Sequence, residues 1–292
     1  MDMRQDQIPH ALPQGGADDP FWREYFAPYT DIVLIANSDE VDIHALDAQF
    51  GPDTLFVFFN KVYKVLDFTF RRPALLVSRS GMLGANIVHR REVPEVIRHF
   101  DPSSFLGILN IIIGNDERFS SATEFGVDRV AHLDLDPLLA PFYPQGKVPT
   151  TGFGLALWLK QLGLPARVTL AGFSSRRSEK WKVFDLHDWT FEQIVLRLMV
   201  RKDELRMIGG GEANSYAAIA AHFPQFSPAE ISATADEVLS DRMSHLSTTV
   251  DRLMSVTKPL RALDQFVRKL RPKTRKQKHL AQQARENAGK AP

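Results

Sequence analysis

In Asp31-Ile32-Val33-Leu34-Ile35-Ala36-Asn37-Ser38 a short, uninterrupted apolar run ends at an asparagine. Such a run, with no period of 3.6, predicts a strand buried on both faces. The same shape recurs at Thr54 to Phe59, which stops at Asn60, and at Ala74 to Ser78, Phe105 to Ile113, Val130 to Leu135 and Val168 to Phe173. Helical segments separate these runs. The stretch through Val41, Ile43, Leu46 and Phe50 is closed by Gly51-Pro52, and Val93 to Phe100 reads as a short helix. Thr151 to Leu162 is stopped by Gly163 and Pro165. Trp189 to Met199 is amphipathic, with Phe191, Ile194, Val195, Leu198 and Met199 at i, i+3, i+4, i+7, i+8 spacing. Strand and helix alternate to about residue 207, which predicts an α/β, Rossmann-like domain with a mainly parallel sheet flanked by helices.

The composition fits this reading. With 292 residues, 44% of them hydrophobic, the chain can bury a large core. It has no cysteine, which removes disulfides, thiolate nucleophiles and cysteine–zinc sites together. Residues 1–20 are polar and read as a disordered N-terminus without the apolar stretch of a signal peptide, although Phe21 to Phe26 can pack an aromatic turn on the body. Residues 21–208 form the expected catalytic domain, and Gly209-Gly210-Gly211 marks the boundary. Residues 209–265 are expected to be an α-helical C-terminal region. Within it, Leu239, Met243, Leu246, Val250 and Leu253 keep the 4-3-4-3 spacing of a short coiled coil. That seam either joins two copies in a homo-oligomer or packs on its own domain.

Residues 266–292 are a basic tail. They hold nine Lys/Arg and one Glu, a net charge of +8 against −7 for the rest of the chain. Phosphate-bearing surfaces attract such a tail, at about 1 kcal/mol per basic residue at anionic lipid. No apolar run is long enough to span a bilayer, so the expected location is cytoplasmic, peripheral at the inner face of the membrane. Deleting residues 266–292 is then expected to abolish cosedimentation with phosphatidylserine vesicles, and undiminished binding would refute the membrane role.

The residues able to carry chemistry lie where the apolar runs end. In open α/β sheets ligands bind outside the carboxyl ends of the strands. Asn37, Ser38 and Asn60 offer donors and acceptors there, or serve as helix caps and turn formers. Thr150, Thr151 and Gly152 open a helix whose free N–H groups attract an anion, although read alone the turn is better taken as a plain threonine N-cap. His187 precedes the N-terminus of the next helix, where positive potential disfavours the imidazolium. Asp188 is a natural N-cap and Glu192 falls in the first turn. Arg176, Arg177, Lys180 and Lys182 surround Ser174-Ser175, and Arg79, Arg90 and Arg91 are further basic residues. Each group either binds phosphate or a sugar carboxylate or is simply solvated. Asp134 and Asp136 make a D-x-D pair able to hold a divalent metal under a nucleotide diphosphate, but no third ligand is adjacent.

Taken in order, these pieces resemble the motifs of the sialyltransferases, both animal-type and bacterial. Ile32 to Ser38 and Phe56-Val57-Phe58-Phe59-Asn60 are similar to the strand pair of the first motif. Pro149-Thr150-Thr151-Gly152 and Val168-Thr169-Leu170-Ala171-Gly172-Phe173 are similar to the second. His187 and Glu192 match the His and Glu of the last. The resemblance covers about residues 31–195. It implies a variant of the Rossmann-like GT-A type and an inverting glycosyltransferase that moves an acidic sugar, sialic acid or Kdo, from a CMP-sugar to a glycan or glycolipid, as in cell-surface polysaccharide biosynthesis. It further implies that Asn37, Ser38, Asn60, Thr150, Thr151, Gly152, Phe173 and Ser174 hold the nucleotide, that His187 and Glu192 are catalytic, and that no metal cofactor is needed. The chain departs from the animal-type pattern in having no cysteine pair, and in carrying Ser38-Asp39-Glu40 where that family has a Gly-rich turn. The alternatives are a metal-dependent transferase using a nucleotide-diphosphate sugar at Asp134 and Asp136, and a non-catalytic nucleotide-binding scaffold.

Overall fold

A computed structural model describes residues 11–79, 86–114, 117–174, 186–208, 223, 225–240 and 243. The chain divides into two units, Met1–Gly211 and Glu212–Pro292. In the first, α1 (Phe21–Phe26) leads into β1 (Asp31–Ile35), α2 (Ile43–Asp47), β2 (Thr54–Phe59) and β3 (Ala74–Arg79). Then follow α3 (Val93–Ile97), β4 (Phe105–Ile112), α4 (Ala122–Phe125), β5 (Val130–Asp134) and α5 (Asp136–Leu139). The unit closes with α6 (Thr151–Gln161), β6 (Arg167–Ala171), α7 (Trp189–Arg201) and β7 (Arg206–Ile208).

The strands form one seven-stranded sheet in the order β5-β4-β3-β2-β1-β6-β7, and every neighbouring pair is parallel. The predicted α/β, Rossmann-like class is the observed one. Period-2 alternation sends successive side chains to opposite faces. Ile32, Leu34, Leu55, Val57, Leu75 and Val77 join a core with α1, α5, α6 and α7. Val33, Ile35, Phe56, Phe58 and Leu76 join a second core with α2, α3 and α4. Burial on both faces is why these strands read as continuous apolar runs. The sheet also contains a register shift. Leu75 pairs with Gly107 while Ala74 pairs with Phe105, so Leu106 is the extra residue of a β-bulge. Gly107 has φ +129, and a Cβ there would lie 2.5 Å from the Arg129 carbonyl oxygen, so only glycine fits.

Residues 11–20 correct the expectation of a disordered N-terminus. Leu12 is in the core, and the Gln14 amide donates to the Val130 carbonyl at 3.1 Å. Trp22 Nε1 donates to Gly16 O and Trp158 Nε1 to Ala17 O. Two buried indoles need hydrogen-bond acceptors, and this segment supplies both. Residues 1–10 lie outside the described residues.

In the second unit, residues 228–240 are helical. Ser227 and Glu230 form the reciprocal bonds of a capping box at its start. Leu239 and Met243 of the predicted seam are exposed. Leu246, Val250 and Leu253 lie outside the described residues, as do Gly209–Gly211 and the tail 266–292. Among the described residues no helix is long and apolar enough to cross a membrane.

Candidate functional site

The strand order reverses between β1 and β6. From β1 the chain steps outward through β2 to β5, then returns to place β6 and β7 on the other side. The carboxyl ends flanking that switch point are the expected crevice of an open parallel sheet. Asn37 and Ser38 follow β1 there, and Gly172, Phe173 and Ser174 follow β6. Gly172 has φ +74, and a Cβ on it would collide with Val41 and approach Ser38 Cβ to 3.1 Å. The two strand ends therefore close on each other through a position that requires glycine.

Asn37 Nδ2 donates to the Phe59 carbonyl at 2.9 Å. That bond fixes the amide, and Oδ1 is left buried with no donor. Neither Asn37 nor Ser38 caps the next helix; Asp42 does, accepting from the Ala45 N–H at 3.0 Å. Ser38 Oγ instead accepts from the Glu40 N–H. Asn60 adopts φ 33, a left-handed conformation that asparagine tolerates, and its Oδ1 accepts from the Arg79 N–H at 3.3 Å. Its carboxamide oxygen therefore ties the end of β2 to the end of β3.

The entrance of α6 lies over the same rim. Thr150 is the N-cap, its Oγ1 accepting from the Phe153 N–H. The resemblance implies that Gly152 helps hold the nucleotide. In the structure the Phe173 ring packs against it: a Cβ on Gly152 would stand 2.6 Å from Phe173 Cε1. Phe173 also meets the Phe59 ring edge-on at 6.3 Å. The Gln193 amide donates to the Phe173 carbonyl at 2.9 Å, leaving Gln193 Oε1 as a second buried acceptor without a donor. Ser174 is half-buried. Ser175 and the basic residues Arg176, Arg177, Lys180 and Lys182 lie outside the described residues.

The segment before α7 zips onto the segment before α6. The Val148 N–H donates to Leu186 O at 2.9 Å. His187 Nδ1 lies 2.6 Å from Val148 O. A carbonyl can only accept, so Nδ1 carries the hydrogen and the neutral ring presents Nε2 as its basic nitrogen. Burial pushes the His187 pKa down, and the nearby Arg79 cation pushes it further, against the opposing effect of the Val148 bond. The Trp189 ring packs edge-on against the imidazole at 5.4 Å.

Glu192 lies in the first turn of α7, against the entry of α6. It is 3% exposed and accepts from the Thr150 N–H at 2.7 Å, from Thr150 Oγ1 at 2.6 Å and from the Tyr143 hydroxyl at 2.8 Å. Tyr143 in turn accepts from the Asp188 N–H at 3.1 Å. Burial raises the Glu192 pKa while these hydrogen bonds oppose the rise. Burial, and then the Glu192 carboxylate, hold the Tyr143 hydroxyl well above the ordinary tyrosine range. Glu192 is thus the hub that joins α6 to α7, and it makes Thr150 a structural residue as well. Tyr143 carries no local sequence signal, since it meets Glu192 across 49 positions.

The D-x-D pair is also corrected. β5 ends at Asp134, and its carboxylate accepts from the Asp136 N–H at 3.0 Å, while Asp136 begins α5. The two do not occupy alternate positions of one strand. Among the described residues no group of three or more His, Asp or Glu is placed to hold a metal. Arg90 and Arg91 are exposed, and Arg79 is committed to Glu117.

No protein-family model matches the chain, and no curated protein is significantly similar to it. Among solved structures, a mammalian sialyltransferase in complex with Gal-beta-1-3GalNAc-ortho-nitrophenol is similar over 68% of this chain and 67% of that one. The identity is 14% and the TM-score 0.31, and no residue role is taken from that likeness.

Proposed function

We propose that the chain is an inverting glycosyltransferase that moves an acidic sugar from a CMP-sugar to a hydroxyl of a glycan or glycolipid, with His187 as general base. The observation that carries this reading is the tie from His187 Nδ1 to Val148 O at 2.6 Å. It fixes the tautomer of a half-buried, neutral imidazole on the segment that enters α6. In the reaction, the acceptor hydroxyl gives its proton to Nε2 and its oxygen attacks the anomeric carbon from the face opposite the phosphate. The bond from that carbon to the phosphate oxygen breaks, CMP departs with the electron pair, and the configuration inverts. The Thr151 amide, at the positive end of α6, is suited to the departing phosphate.

The two donorless amide oxygens, Asn37 Oδ1 and Gln193 Oε1, border the same Phe59–Phe173 pair. A buried acceptor left unsatisfied costs about 1–3 kcal/mol. The reading with a nucleotide-diphosphate sugar and a metal is disfavoured, because Asp134 ends β5 while Asp136 already belongs to α5, so the two carboxylates do not share a strand face.

A thermal-shift panel tests the donor. At a concentration of 100 Kd a ligand stabilises by about 2.7 kcal/mol, which in a domain of this size raises Tm by roughly 5–10 °C. The expected result is a shift with CMP, unchanged by EDTA, and none with UDP or GDP. A shift confined to UDP or GDP in the presence of a divalent metal overturns the reading, as does no response to CMP.

A further inference from the structure

The imidazole of His187 is held by one backbone carbonyl, that of Val148. The next carbonyl along, that of Pro149, accepts from Arg79 Nη1 at 2.7 Å. Arg79 ends β3, and its side chain is only 13% exposed. Its Nη2 donates to Ile113 O at 2.8 Å, just beyond the end of β4, and its Nε to Glu117 Oε1 at 2.6 Å. The other Glu117 oxygen accepts from the Ile113 N–H at 2.7 Å. One guanidinium therefore joins the carboxyl ends of β3 and β4 to the entry of α6.

We propose that Arg79, with Glu117 as its counter-charge, is a positioning residue for His187: its planar fork fixes the Val148–Thr150 segment to which the imidazole is tied. The proposal rests on the reading of His187 as the base. Arginine suits the role because three of its N–H directions are used at once on two carbonyls and a carboxylate, a geometry that lysine does not reproduce. A cation close to an imidazole in a partly desolvated site also opposes a second positive charge there. That keeps the ring able to take a proton from an acceptor. The charged and titratable neighbours are Arg79 from β3 and Glu117 from the segment after β4. Tyr143 and Lys147 lie before α6, and Asp188 and Glu192 belong to α7. Of these, Arg79 and Glu117 form a pair of opposite sign whose members can be neutralised separately.

The test follows the Cε1–H resonance of His187 by NMR titration of the full chain, identified by its absence in His187→Asn. Arg79→Gln removes the cation and is expected to move the His187 midpoint to higher pH. Glu117→Gln leaves the cation uncompensated and is expected to move it to lower pH. Arg79→Lys keeps the charge without the fork and is expected to leave the midpoint below the ordinary histidine value, which carries the test should Arg79→Gln not fold. A purely structural role shifts the Arg79→Gln and Glu117→Gln midpoints in the same direction, as the loosened segment exposes the ring. That outcome, no movement in either, or a rise of Arg79→Lys to the ordinary value overturns the proposal. If the midpoints move apart while His187→Asn still transfers sugar, the base assignment fails and the Arg79 proposal stands. If they move together while His187→Asn is inactive, the reverse holds.

Discussion

Glu192→Ala is expected to lower stability by about 2–6 kcal/mol, at about 1–3 kcal/mol for each of two buried donors left without an acceptor, which is a fall in Tm of roughly 4–24 °C. The substitution leaves the Thr150 N–H and the Tyr143 hydroxyl without their acceptor in a site that is 3% exposed. Glu192→Gln is expected to cost only about 1 kcal/mol. Its carbonyl oxygen takes the place of Oε1, which serves both the Thr150 N–H and Tyr143, and its amide donates to Thr150 Oγ1. The pH dependence separates the two further. Burial raises the Glu192 pKa above the ordinary 4.5, so the folded state favours the protonated carboxyl. The stability this contributes is fully present below the unfolded value and is lost as pH rises through the folded value. Glu192→Gln, fixed in the neutral form, should therefore gain on the wild type as pH rises across that window, read from urea midpoints at each pH. An alanine variant as stable as wild type would remove Glu192 as the joint between α6 and α7.

Much of this architecture was readable before folding, and the unreadable parts share a cause. Strands buried on both faces leave runs such as Thr54 to Phe59, which no helix period explains. β7 has three residues and an exposed Arg206 at the sheet edge, so it leaves no run, while α4 and α5, of four residues each, show no period. In α7 the apolar pattern was visible but its facing was misread. Ile194 and Leu198 are each 54% exposed, while Glu192 and Leu196 form the fully buried pair. Local spacing puts 192 and 196 on one face, but only the Thr150 and Tyr143 donors make a carboxylate acceptable there. The site divides in the same way. His187 was visible as a residue before a helix N-terminus. The Val148 carbonyl that orients it, the Arg79 fork and the Gln193 acceptor are all tertiary pairings between distant segments, and no spacing rule encodes them.

His187→Asn is expected to reduce transfer about 10²–10⁴-fold, the usual contribution of a general base, while Tm and the CMP-induced shift stay near wild type. Asparagine is the informative replacement because its amide N–H can keep the bond to Val148 O that Nδ1 makes. The pairing of Val148 with Leu186 and the Glu192 hub are untouched, so only the proton acceptor is lost. In the wild type the pH profile of kcat should show an acid limb with its midpoint below the ordinary histidine value of 6.5, since burial first and the Arg79 charge second hold the ring neutral. The base works deprotonated, so activity is present above that midpoint and falls as pH drops through it. His187→Asn should lack this limb. Glu192→Gln should retain it, because a positioning carboxylate does not exchange protons with the acceptor. Product formation from CMP-sialic acid or CMP-Kdo with a glycan acceptor, followed from pH 5 to 8, reads all three enzymes. Wild-type rates in His187→Asn would remove the base and leave a nucleotide-binding scaffold. An acid limb above 6.5 would mean that the imidazole is stabilised in its charged form, contrary to a ring desolvated beside a guanidinium.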